Sequence, residues 1–177
     1  MKRILVFAGS TSQKSINKKL ASFTTTLLNQ ASITLLDLND FEMPLYSIDR
    51  EKQKGIPDPA HQFKAEIQKA DGIIMSLAEH NGSYAAAYKN VYDWVSRIKG
   101  NMWEDKPILL MAASPGGRGG KSVLQAANNR LPFQGGKVVA TFSLPGFRDN
   151  FDEEQGIINA ELLETLKEQV AVFEKSL

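Results

Sequence analysis

The chain has 177 residues, of which 42% are hydrophobic and 23% charged, and this length and composition predict one globular domain over residues 1–177. With 21 Lys and Arg against 20 Asp and Glu, the formal net charge is +1, and the basic excess typical of nucleic-acid binding is missing. The absence of cysteine excludes disulfides and cysteine-bound zinc, and two histidines are too few to predict a His-rich metal site.

Five short apolar runs alternate with longer segments of helical periodicity. We interpret the runs as strands at residues 4–8, 33–38, 72–77, 107–113 and 137–143. Apolar side chains recur on one helical face at residues 16–27, 63–70, 88–95, 123–131 and 162–173. Asp58 and Pro59 suit the cap and first position of the second helix. The first run is too short for a signal peptide, and no stretch approaches a membrane span, so we expect a cytoplasmic protein.

Strands that alternate with helices imply crossover connections and a parallel sheet with helices on both faces. In the first, third and fourth runs, the side chains that would point to either face of the sheet are apolar. This pattern predicts central strands buried on both sides. Ligands of such sheets bind beyond the carboxyl ends of the strands. The segments that follow the strands are therefore the candidate site.

The first of these segments, residues 9–17, is rich in hydroxyl side chains and leads into a helix. A helix N-terminus offers free N–H groups and a positive dipole end, both of which suit a phosphate. Only Gly9 is glycine, so the segment is not a dinucleotide fingerprint. The alternative interpretation is a polar loop in which Ser15 is a simple N-cap.

The segment after the third strand, residues 78–83, contains an Asn-Gly turn signal and precedes a tyrosine-rich helix. Backbone N–H groups of such a turn can meet the carbonyls of a flat heterocycle. We interpret His80 as a loop histidine rather than a catalytic acid or base. Core or subunit packing explains the aromatic residues of the helix, and because they cannot all face one core, we expect some at a subunit interface.

The segment after the fourth strand is glycine-rich and has four glycines between Gly116 and Gly120, which indicates unusual backbone angles or a close approach. Gly120, Lys121 and Ser122 match the end of a phosphate-binding P-loop, but Pro115 occupies its first glycine position. We therefore keep a nucleotide triphosphatase only as the third alternative, which an absence of triphosphate binding would remove, and expect Lys121 to be solvated. A long segment at residues 43–59 is a further candidate for lining the cleft.

Together these segments resemble the NADPH-dependent FMN reductase family, which includes quinone, azo-dye and chromate reductases. Gly9, Ser10, Ser15 and Asn17 are similar to its G-S-x-R-x-x-S-x-N motif, with Ser12 in place of the Arg. Residues 79–83, 89–90 and 93–94 resemble its P-E-x-N-G-S…L-K-N…D-W pattern, with Ala78 for the Pro and Tyr88 for the Leu. Residues 114–120 resemble its third flavin-contacting loop.

The resemblance implies a flavodoxin-like fold, with the five strands in the order 2-1-3-4-5, and an FMN cofactor. The residues it implies for cofactor binding are Ser10, Ser15, Asn17, Glu79, Asn81, Gly82, Ser83, Ser114, Gly117, Gly119 and Gly120. From the same segments we also expect Ser12, Ile16 and His80 to bind the cofactor. The hydroxyls of the first segment, the Asn17 amide and the helix N-terminus would hold the phosphate, with little help from Lys14. Arg118 is the candidate for the 2′-phosphate of NADPH.

The implied activity is hydride transfer from NADPH or NADH to flavin N5, followed by reduction of a quinone, flavin, azo or nitro compound or metal oxyanion. No catalytic side chain is expected, because the flavin carries the chemistry. The resemblance also implies a homodimer or homotetramer. The rival functions are a flavodoxin-type electron carrier, which the net charge of +1 disfavours, and a flavin-binding protein without enzymatic turnover.

Overall fold

A computed structural model describes residues 1–177, and its chain alternates strands with helices as predicted. In chain order the elements are β1 (Lys2–Gly9), α1 (Ile16–Thr25), β2 (Ala31–Leu36), α2 (Ile48–Lys54), α3 (Asp58–Lys69), β3 (Gly72–Leu77), β4 (Glu79–His80), β5 (Ser83–Tyr84), α4 (Ala86–Val95), β6 (Pro107–Ala113), α5 (Lys121–Arg130), β7 (Lys137–Leu144), α6 (Phe147–Asn150), β8 (Phe151–Asp152), β9 (Gly156–Ile157) and α7 (Ala160–Lys175). Short 3₁₀ helices lie at Leu38–Phe41 and Leu131–Gln134. None of the helices is both long and apolar enough to cross a bilayer.

The central sheet is parallel, and its strand order β2-β1-β3-β6-β7 confirms the predicted order 2-1-3-4-5. The three strands predicted to be central, β1, β3 and β6, are the middle strands. Every residue of β3 is buried, because helices cover both of its faces. The edge strand β2 leaves Ile33 and Leu35 partly exposed, since only one neighbour pairs with it.

Helices cover both faces of the sheet, each over its own apolar core. Helices α3, α4 and α5 pack over one cluster of 26 buried residues, and α1 and α7 over a second cluster of 16. Each fully buried large apolar side chain contributes about 1.5–3 kcal/mol relative to its exposed state. These two layers hold the carboxyl ends of β1, β3 and β6 side by side.

The helical boundaries differ from the prediction at two places. Residues 43–59 are not one long loop, because they contain the exposed helix α2 and the first residues of α3. The cap position of α3 is Pro57, so that Asp58 and Pro59 lie inside its first turn rather than at the cap and the first position.

The aromatic residues of α4 all lie within the fold of one chain. Tyr88, Tyr92 and Trp94 are at most 6% exposed. Tyr92 stacks on Trp103 with ring centroids 6.4 Å apart, and the Trp94 indole N–H donates to the Pro44 carbonyl at 2.7 Å. Of the four aromatic residues expected partly at an interface, these three pack into one core, and only Tyr84, just before the helix, is partly exposed.

Candidate functional site

A cavity of about 330 Å³ opens where β1, β3 and β6 end, and the three predicted segments meet around it. Its lining residues are Ser10, Ser12, Lys14, Ser15, Ile16, Asn17, Ala78, Glu79, His80, Ala113, Ser114 and Pro115. The position beyond the carboxyl ends of parallel strands is the one that ligands of doubly wound sheets occupy. Eight of the predicted binding residues therefore share one cavity.

Two further cavities extend this one into a longer cleft. A cavity of about 340 Å³ shares Ser10, Ser12 and His80 with the first, and continues along the start of α4. A third, also about 340 Å³, shares Thr11 with the second and reaches the 3₁₀ helix after β2. Of the predicted lining segment 43–59, only Met43 borders it.

The N-terminus of α1 presents free hydrogen-bond donors to the first cavity. The backbone N–H groups of Ile16 and Asn17 have no acceptor in the protein, and the first turn carries no acidic residue. Ser15 is the N-cap, and its Oγ accepts from the Lys18 N–H at 3.2 Å, which leaves the hydroxyl proton free to donate. Both interpretations of Ser15 are thus compatible, since a capping hydroxyl can also donate to a phosphate.

The Asn17 side chain makes internal hydrogen bonds that the sequence did not predict. It is 2% exposed, and its Oδ1 accepts from the Ser76 hydroxyl at 2.7 Å and from the Ala113 N–H at 2.8 Å. Its Nδ2 donates to the Ala113 carbonyl at 3.2 Å. Because these bonds engage both ends of the amide, the side chain ties α1 to β3 and β6, while the backbone N–H of Asn17 keeps no acceptor in the protein.

Lys14 lines the same cavity, although the sequence predicted that it would help little. Lys14 is the one lysine or arginine among the lining residues. Two free amides, the hydroxyls of Ser10, Ser12 and Ser15, and one cation form a donor set that fits a phosphate group. The residues present therefore fit the phosphate end of FMN.

The second segment folds as a hairpin that carries part of the predicted site away from the cavity. Strands β4 and β5 pair antiparallel, and Asn81 and Gly82 form the turn between them with φ of 52° and 74°. Positive φ at both central residues is the requirement of a type I′ turn, which Asn-Gly meets well. His80 borders the cavity, whereas Asn81, Gly82 and Ser83 are exposed beside it.

Two glycines of the third segment are required by the fold itself. Gly119 and Gly120 are buried and have φ of 59° and 72°. A Cβ on Gly119 would lie 2.2 Å from Oγ of Ser143, and one on Gly120 would lie 2.7 Å from Cβ of Ala112. Neither glycine lines the cavity, and of the predicted residues in this segment, Ser114 does.

A hydrogen bond connects the second segment to the helix that follows the third. The Glu79 carboxylate Oε2 accepts from the backbone N–H of Val123 at 2.9 Å. Val123 is the third residue of α5, whose cap residue Gly120 has no side chain to accept this bond. The sequence did not reveal this contact, since the partners lie 44 positions apart.

Two cations near the third segment are exposed. Arg118 donates from its guanidinium to the Ser122 hydroxyl at 3.0 Å and is otherwise free for a ligand. Lys121 is exposed as predicted. The candidate group for a nucleotide phosphate is therefore exposed, although Arg118 does not itself line the cavity.

Comparison with known proteins gives matches along most of the chain. The sequence model of the family described as NADPH-dependent FMN reductase matches residues 2–149. A quinone reductase of Pseudomonas putida is 30% identical over 132 residues, which span 73% of this chain and 69% of that protein. A 2-hydroxy-1,4-benzoquinone reductase of a Burkholderia species is 34% identical over 119 residues, spanning 66% of this chain and 63% of that protein.

The fold of a solved structure also matches nearly the whole chain. FerB of Paracoccus denitrificans, a flavoenzyme described as an NAD(P)H:(acceptor) oxidoreductase, superposes with a TM-score of 0.80. The superposition covers 99% of this chain and 97% of that one, at 24% identity. This likeness confirms the flavodoxin-like architecture that the strand order gives.

Proposed function

The chain belongs to the NADPH-dependent FMN reductase family, and from that premise we propose that it transfers electrons from NAD(P)H through FMN to a quinone. The quinone is proposed as the acceptor because the relatives from Pseudomonas putida and Burkholderia are named for quinones. Flavins, azo and nitro compounds and metal oxyanions are the other acceptors of the same chemistry.

The observation that carries this proposal is the donor set at the start of α1. The free N–H groups of Ile16 and Asn17 and the ammonium of Lys14 border a cavity at the carboxyl end of the sheet. The phosphate of FMN is nearly a dianion at neutral pH, and charge-assisted hydrogen bonds to such a group contribute roughly 1.5–3 kcal/mol each. We propose that the hydroxyls of Ser10, Ser12 and Ser15 complete this phosphate site.

The remaining predicted residues would border the flavin ring. On one side these are Glu79, His80, Asn81, Gly82 and Ser83, and on the other Ser114, Gly117, Gly119 and Gly120. Glu79, His80 and Ser114 line the cavity, and Gly117 adjoins open space, so a flat ring could approach them directly. Gly119 and Gly120 would act by permitting the loop conformation.

When bound, the flavin supplies hydride acceptance from the nicotinamide and electron donation to the second substrate. The protein then has to bind, orient and expose that group, and no general acid or base is required of its side chains. The neighbouring cavity along the start of α4 is bordered by Ala85, Ala86 and Ala87, whose small side chains leave room for a flat molecule.

We propose that NADPH is a donor and that Arg118 recognises its 2′-phosphate. The guanidinium is exposed on the segment whose first residues, Ser114 and Pro115, line the cavity, and Arg can bind a phosphate through two hydrogen bonds. NADH lacks this phosphate and would be used without help from Arg118.

A homodimer or homotetramer in the cytoplasm is part of the same proposal. The resemblance to the family implies the assembly, and an intracellular electron donor favours the location. A monomeric mass by light scattering at micromolar concentration would contradict the assembly without affecting the proposed chemistry.

Steady-state oxidation of NADPH with 1,4-benzoquinone tests the proposed function. We expect turnover that requires FMN and a quinone. An electron carrier or a flavin-binding protein without turnover would bind FMN but would not oxidise NADPH in this assay.

A further inference from the structure

The two helices that begin at the cleft differ in what their N-termini bind. Helix α1 leaves the N–H groups of Ile16 and Asn17 free. At the start of α5, the Lys121 N–H donates to the Arg118 carbonyl and the Val123 N–H donates to Glu79, so that of the first three N–H groups only that of Ser122 has no acceptor. A carboxylate thus already occupies the end of α5, where a helix dipole would favour an external anion.

We propose that Glu79 is a positioning residue, which caps α5 from the hairpin and thereby fixes the width and direction of the flavin cleft. This inference rests on the proposed FMN site. The hairpin and the glycine-rich segment would border opposite sides of the flavin ring, and the bond from Val123 to Glu79 joins the elements that carry them. Because the Glu79 carboxylate places a negative charge at the start of α5, a second anion is disfavoured there and the phosphate end of the ligand is directed to α1.

The rest of the glycine-rich segment is fixed from the side of β7. The N–H of Ser114 donates to the Leu144 carbonyl at 3.2 Å, and the Ser143 hydroxyl donates to the Gly119 carbonyl at 2.8 Å. Gly119 also lies close against Ser143 and Leu144 of β7, and Gly120 lies close against Ala112 of β6, so the segment is packed against both strands. None of these contacts holds the glycine-rich segment on the side of β3. The hydrogen bond from Val123 to Glu79 supplies a restraint on that side.

Two substitutions separate capping from other roles of Glu79. The Glu79→Gln variant keeps a side-chain oxygen that can accept the hydrogen bond from the Val123 N–H, whereas Glu79→Ala removes this acceptor. We expect Glu79→Ala to weaken FMN and riboflavin by the same factor, at least about tenfold, because it affects the ring end that both flavins share. We expect Glu79→Gln to recover most of the affinity for both flavins that Glu79→Ala loses, because it keeps the acceptor for the Val123 N–H.

The measurement is titration of both flavins by fluorescence, together with amide exchange at Val123 followed by NMR. Exchange should accelerate in Glu79→Ala and stay slow in Glu79→Gln. Equal losses of flavin in the two variants would overturn the proposal, since the carboxylate would then act on the flavin directly. Unchanged flavin binding by Glu79→Ala would also overturn it.

The two measurements also separate this inference from the proposed function. If the unaltered protein binds neither flavin, the proposed FMN site fails and the positioning role fails with it. Fast exchange of Val123 in Glu79→Ala alone would in that case establish only the cap. If flavin binds and Val123 exchange is the same in all three proteins, the FMN site stands and the positioning role is refuted.

Discussion

The side chain of Asn17 makes a two-point contact with the backbone of Ala113, accepting its N–H at 2.8 Å and donating to its carbonyl at 3.2 Å. This contact joins the start of α1 to the end of β6, across the strand that lies between β1 and β6 in the sheet. The donors at the start of α1 are thereby held at a fixed place relative to the glycine-rich segment.

We expect Asn17→Ala to destabilise the protein by about 2–4 kcal/mol, because it leaves buried partners at Ser76 and Ala113 without their hydrogen bonds. Urea unfolding measures this loss. FMN and riboflavin should weaken together, since the whole cleft is affected. A variant of unaltered stability that loses FMN alone would show instead that the amide binds the phosphate, as the sequence suggested.

Ser15→Ala should weaken FMN by about tenfold to a hundredfold and riboflavin little, because only FMN carries the phosphate. It should also cost about 1 kcal/mol of stability through loss of the cap on Lys18. Ser47→Ala is the matched control, since Ser47 caps α2 through the Arg50 N–H at the same 3.2 Å. The control should leave flavin binding unchanged, and equal losses of both flavins in Ser15→Ala would make the residue structural.

Much of the architecture could be predicted from the sequence, because burial on both sides makes β1, β3 and β6 continuously apolar. Helix α2 could not be predicted in this way, since it has no buried residue and therefore no apolar stripe. The role of Asn17 was hidden for another reason. A polar residue at the start of a helix has the same sequence signature whether it faces a ligand or the interior.

Arg118→Ala should raise KM for NADPH by about tenfold and leave KM for NADH unchanged, because only NADPH has the 2′-phosphate. Steady-state kinetics with both donors test this. The neighbouring exposed cation provides the control, and Lys121→Ala should alter neither KM. An equal change for the two donors would remove Arg118 from the proposed recognition.

The pair of Lys64 and Glu104 predicts a pH dependence of stability. The ammonium of Lys64 is buried, donates to the Met102 carbonyl at 2.9 Å and lies 2.5 Å from the Glu104 carboxylate. The hydrogen bond from Lys64 lowers the pKa of Glu104 below its ordinary value of 4.5. A carboxyl group whose pKa is lower in the folded than in the unfolded protein stabilises the fold at a pH above its unfolded-state pKa. This contribution is lost as the pH falls through the lowered, folded-state pKa.

Glu104→Gln should therefore reduce stability at neutral pH by about 1 kcal/mol, a modest amount because the carboxylate is one-third exposed and screened by water. Its stability should also fall less steeply than that of the unaltered protein on acidification below about pH 5. Thermal unfolding across this pH range measures both effects. Glu153→Gln removes an exposed carboxylate that pairs with Lys19, and a parallel acid response of the two variants would contradict the assignment.

The most direct test of the proposed electron transfer is the absorbance spectrum of the FMN-loaded protein, recorded without oxygen before and after addition of NADPH. We expect a flavin spectrum that is bleached by NADPH at a rate faster than that of free FMN, and that returns when a quinone is added. A protein that takes up no FMN, or whose bound flavin keeps its colour in the presence of NADPH, would contradict the account.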